Sequence, residues 1–190
     1  VESDGIPTTI DVSTFEPSTV VSVNGADDPD GYIITGSGED IDVVVAGDTT
    51  LTLKNADFGV LEIASACNDV ELILDGENTL ERISVYNGTL SVDAVDENAV
   101  LNMPDAKAQA IISNKANGAY LVIDGGNINI ASDNTGISDF ANVTVNGGCL
   151  DIKADLASFV DTTVELKGGT VKSTYFTSDS IAVFNSDIII

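Results

Sequence analysis

Three Gly-Gly pairs at near-constant spacing constrain this chain more than any other feature. Residues 121–130, 143–152 and 164–173 each read apolar-x-apolar, a polar residue, Gly-Gly, then x-apolar-x. Gly125 to Gly147 is 22 residues and Gly147 to Gly168 is 21. A period of this length marks a supersecondary unit that cannot bury its apolar face alone and stacks on its copies. The alternation on both sides of the glycines is a strand signal, and Gly-Gly turns the chain where a Cβ is penalised. Two strands, a bend and a variable stretch describe one rung of a parallel β-helix, which is expected to be right-handed. Leu121, Val143 and Val164, then Ile128, Leu150 and Val171, would form interior ladders at ~4.8 Å per rung. Hairpins in a sandwich are the competing reading, but they do not need the same spacing and the same Gly-Gly pair twice in succession.

The expected fold is therefore all-β: a parallel β-helix of six or seven rungs over residues 32–190, with residues 1–31 as an irregular N-terminal cap. Pro7, Pro17 and Pro29 interrupt any repeat in that segment, where Val20-Val21-Ser22-Val23 reads as one strand before an Asn24-Gly25 turn. Asp27-Asp28-Pro29-Asp30-Gly31 is an acidic turn without the spacing or terminal Glu of an EF-hand. Residues 104–118 break the pattern, and Asp105-Ala106-Lys107-Ala108 reads as a short helical or looped excursion.

An apolar content of 43% with only 5% aromatics and no Trp suits a narrow interior filled by small and branched side chains. No run approaches the ~18 apolar residues of a membrane span, so membrane insertion is not expected. With 31 acidic residues against 7 basic, net −24, nucleic acid and anionic membranes are poor partners. The same surplus serves solubility or, where carboxylates cluster, hard divalent cations. Cys67 and Cys149 are 82 residues apart and are expected as two free thiols, because a disulfide across nearly four rungs would need Cα atoms within ~7 Å.

Residues 42–57, continuing through 68–80 with Asn78-Thr79-Leu80, resemble the opening rungs of bacterial carbohydrate-binding β-helix proteins. The resemblance spans about residues 40–170. It implies a pectate-lyase-like fold, calcium as the bound ion, polysaccharide as the partner, and binding without a catalytic centre. It also implies an exported, cell-surface protein.

Catalytic constellations are sparse. There is no His, which removes Ser-His, Cys-His and the His-containing polygalacturonase set, and Arg82 is the single arginine, beside Glu81. Aligning Ile130 with Ile152 places Asp133 and Asp155 at equivalent positions, two carboxylates about 5 Å apart that would repel unless a cation lay between them. Asp139 and Asp161 are expected to add oxygens from the same side. The alternative is that these side chains splay into water. Asp75, Asp124, Asn146 and Lys167, at the turns, read as turn formers or a short ladder. A face of stacked strands offers an elongated groove with hydroxyl and amide partners repeating each rung, and Tyr86, Tyr120 and Tyr175 with Phe176 are candidate stacking platforms. The expected function is non-catalytic, calcium-assisted polysaccharide binding by an extracellular monomer. A structural adhesin or spacer, and a polysaccharide lyase with an atypical site, are the alternatives.

Overall fold

Every second residue of each apolar run faces a shared interior, and that alternation lays the chain out as short strands paired in parallel with the strand one coil earlier. A computed structural model of the chain describes residues 5–114, 117–175, 181–184 and 187–189. It is a parallel β-solenoid of about eight turns, whose strand segments stack into three faces.

On the first face Ile123 lies between Val92 and Val145, and Val145 pairs onward with Leu166. The strands ending at 123, 145 and 166 are thus side by side in one parallel sheet, as the Gly-Gly spacing predicts. On the second face Thr79, Asn102, Asn129, Asp151 and Lys172 are successive partners. On the third, Leu61, Ile83, Ile111, Ile137 and Phe159 stack in turn. The inward residues form one core in which Leu51, Leu72, Ile83, Leu101, Ile128 and Leu150 are fully buried. Each such side chain contributes roughly 1.5–3 kcal/mol relative to exposure.

The corner between the first and second faces explains the glycine pairs. Gly126, Gly148 and Gly169 take φ of +77°, +69° and +67°, the left-handed region open to glycine. The first glycine of the pair is fixed by stacking instead: a Cβ on Gly147 or Gly168 would stand 2.2 Å from the carbonyl oxygen of Asp124 or Asn146, one coil earlier. One coil uses a different device. Asn78, 0% exposed, accepts the Ala56 N–H at 2.9 Å and donates to the Val100 carbonyl at 3.3 Å, joining three coils through one buried amide.

Two expectations about the chain's organisation are corrected. The segment expected as an irregular cap is a coil of the solenoid: Thr8–Asp11 pairs with Tyr32–Ser37, and Val20–Val23 with Asp42–Val45. Its first corner needs no Gly-Gly pair because Asp11 Oδ1 accepts the Ser13 N–H at 3.0 Å and starts a 3-10 turn, Val12–Thr14, that buries Val12. This coil helps raise the count above six or seven. The expected excursion at 105–108 is reduced to a two-residue bend, Lys107-Ala108, between the strands Val100–Ala106 and Gln109–Ser113.

That region is irregular for another reason. Paired first-face residues are 20 apart from Leu72 to Val92, 22 from Ile123 to Val145, and 31 from Val92 to Ile123. The extra residues of this long coil enlarge its corners.

Candidate functional site

Leu101, Met103, Ile128, Ile130, Leu150 and Ile152 point inward on the second face, so the residues between them must point out. Asn102, Asn129 and Asp151 consequently form one outward row, in register from coil to coil. The row is laced by its own side chains. Asn129 Nδ2 donates to Asn102 Oδ1 at 3.0 Å, and Asn102 Nδ2 donates to Glu77 Oε1 at 3.4 Å. Lys172 Nζ lies 4.0 Å from Asp151 Oδ2. Toward the N-terminal coils, Ser37 Oγ donates to Asp57 Oδ2 at 3.0 Å.

Over this row runs an open groove. One hollow of about 370 Å³ is lined by Thr79, Asn102, Pro104, Asn129, Asp151 and Lys153, among others. A second, of about 430 Å³, has Ser37, Asp57, Phe58, Glu81, Asp105 and Lys107 among its walls. Thr79 and Pro104 line both, so the hollows join along the solenoid axis. Pro104, Asp105 and Lys107 all come from the long coil. The N-terminal end is acidic, with Glu39, Asp40, Asp57, Glu81 and Asp105 around Lys107. The hydrogen bond to Asp105 holds the Lys107 ammonium above the usual lysine range, with the charges of Asp105, Asp133 and Glu81 adding to it. Lys107 therefore stays charged.

The four carboxylates expected to share a cation fall into two pairs. Ile130 does pair with Ile152, and Ser132 with Ala154, which sets Asp133 and Asp155 at equivalent positions on adjacent coils. Asp139 and Asp161 are likewise equivalent, each following a paired strand end and each in the left-handed region, φ 67° and 51°. The four-residue strand Thr135–Ser138 separates the pairs, about 13 Å of extended chain. Among the described residues no three cation ligands gather. Calcium takes 6–8 oxygens, so these residues do not fit a four-carboxylate calcium centre. The left-handed backbone at Asp139 and Asp161 makes them corner formers, a role Asp tolerates.

Tyr86 and Tyr120 are each 49% exposed, as stacking platforms must be, but neither lines the groove. Tyr86 follows the third face, and Tyr120 opens a first-face strand on the next coil, paired with Thr89. Tyr175 pairs with Ala154 through its backbone, and Phe176 lies outside the described residues. Arg82 is exposed beside Val60 and lines neither hollow. Cys149 points outward with Asn127 and Thr170 as its neighbours, and both cysteines are free. At the turns, Asn146 Nδ2 donates to Asp124 Oδ1 at 2.8 Å, the short ladder expected there.

The row Thr79–Asn102–Asn129–Asp151 escapes a reading by glycine spacing because the long coil breaks the period between Asn102 and Asn129. Alternation alone marks Asn102, Asn129 and Asp151 as outward, and an irregular repeat is itself a sign of a binding face.

Comparison of the chain with known protein families, curated proteins and solved structures finds no match.

Proposed function

We propose that this protein is a non-catalytic polysaccharide-binding module, displayed at a bacterial surface, that holds an extended glycan along the second-face groove. The observation that carries this reading is the continuous axial row of hydroxyl, amide and carboxylate groups, repeated from coil to coil and bordered by Pro104, Asp105 and Lys107 of the long coil. A sugar chain presents hydroxyls at a comparable repeat, and a rigid strand platform loses little entropy on binding it. An open groove also lets a polymer pass through, where an enclosed pocket would demand a chain end.

Calcium enters this proposal as an assistant rather than as a structural ion. Asp133 and Asp155 supply one stacked pair of carboxylates, so an ion held there would draw its remaining oxygens from glycan and water. A glycan array run with calcium and with chelator tests the reading. The expected result is retention of one or a few polysaccharides without release of unsaturated product. Ultraviolet-absorbing product would make the protein a lyase, and silence on every glycan would leave a spacer or adhesin.

A further inference from the structure

We infer that a second, separate sugar site lies beneath Tyr86 on the third face and takes a single neutral pyranose unit. Glu62, Ser84 and Ile112 are outward partners on three successive coils. Together with Tyr86, Ser113 and Asn114 they line a hollow of about 330 Å³ that shares no lining residue with the groove. Tyr86 is firmly placed. Its N–H donates to the Ile63 carbonyl at 2.9 Å, and its own carbonyl accepts Asn117 Nδ2 at 2.9 Å. The wall beyond it is again the long coil, tied down by Asn114 N–H to the Val85 carbonyl at 3.3 Å and Asn117 N–H to the Asn114 carbonyl at 2.9 Å.

The lining has the two halves a pyranose requires. The half-exposed Tyr86 ring and Ile112 offer an apolar surface to the C–H face of a sugar ring. Glu62, Ser84 and Asn114 carry a carboxylate, a hydroxyl and an amide, the groups that accept from and donate to ring hydroxyls. The volume lies at the small end of the range for ligand pockets, ~300–1,000 Å³, which suits one ring or a branch rather than a chain. Glu62 is the acidic side chain among the described lining residues, on a chain of net −24. A uronate or sulfated sugar would bring like charge to that carboxylate, so the site favours a neutral ring.

The test is saturation-transfer NMR with neutral methyl pyranosides, glucosamine and glucuronate as separate probes. The proteins are the wild type, Tyr86→Ala, Tyr86→Phe and the groove variant Asn102→Ala/Asn129→Ala, each checked for an unchanged melting transition. A neutral pyranoside should bind the wild type, Tyr86→Phe and the groove variant alike, and weaken by about tenfold or more in Tyr86→Ala. Glucuronate should give no signal. The inference is overturned if no neutral pyranoside binds, if binding survives Tyr86→Ala, or if glucosamine or glucuronate alone binds. Loss of neutral-sugar binding in the groove variant would assign the signal to the groove and overturn the separate site, leaving the groove proposal standing.

Discussion

The first glycine of one corner sits against the carbonyl of the corner before it: a Cβ on Gly147 would stand 2.2 Å from Asp124 O. Backbone cannot retreat there without breaking the bond from Asn146 N–H to the Ile123 carbonyl at 2.8 Å. Gly147→Ala should therefore destabilise the fold by about 1–3 kcal/mol. Gly125→Ala is the informative contrast. The nearest atom to its added Cβ is Asp93 Oδ1, at 2.5 Å, the end of a side chain that can swing away. Thermal melts should rank wild type, then Gly125→Ala, then Gly147→Ala; equal losses would mean that the corner glycines act through something other than stacking.

Asn78 provides a second test. Replacing it with Ala leaves the buried Ala56 N–H without its acceptor, and an unsatisfied buried donor costs about 1–3 kcal/mol. Asn78→Asp keeps the acceptor but puts a charge in a fully buried position, so it should not rescue. Denaturant midpoints of the two variants close to that of the wild type would show that the amide does not join the coils.

What could be read from sequence follows from what glycine spacing encodes. The pairing of Ile123 with Val145, and of Asp133's position with Asp155's, follows from register alone, because identical rungs stack identically. Where Asp139 lies relative to Asp133 does not, because a corner and a strand intervene and spacing says nothing of where a corner points. Phe140 and Phe159 illustrate the same limit. Phe159 is a strand residue opposite Ile137, whereas Phe140 follows the left-handed Asp139, so the two phenylalanines hold different positions in their coils. The first coil was hidden because its corner is capped by Asp11 instead of Gly-Gly. The groove and the Tyr86 hollow were hidden because both depend on the long coil, where the period fails.

Acid should weaken the fold partly through Asp48. The N–H groups of Asn68 and Asp69 donate to its Oδ1 at 2.6 and 3.1 Å and hold this carboxyl below the usual aspartate range. A carboxyl whose folded value is depressed stabilises above its unfolded value, about pH 4, and that contribution is lost as pH falls through the folded value. Asp48→Asn has nothing to titrate. Its melting temperature should therefore lie a little below the wild type's near neutrality and converge with it in strong acid. Curves that stay parallel over the whole range would show that the Asp48 carboxylate does not contribute.

The two thiols should differ sharply. Cys67 is 1% exposed, donates to the Val45 carbonyl at 3.2 Å, and is pushed up by burial and then by the charge of Asp48. Cys149 is half-buried on an outward row. Only the thiolate reacts, so mass spectrometry after alkylation should find one label on Cys149 in the native protein and a second on Cys67 in denaturant. Native labelling of Cys67 would place it outside the core.

The central claim is that the second-face row bordered by Pro104, Asp105 and Lys107 is the polymer-binding surface. Affinity electrophoresis of the wild type and Asn102→Ala/Asn129→Ala, in gels containing whichever polysaccharide the array identifies, tests it most directly. Losing two amides from the row should cost about 1–3 kcal/mol of binding, or roughly tenfold or more in apparent Kd, while the melting transition stays put. An unchanged retardation of the folded double variant would contradict the account and move the binding surface to another face.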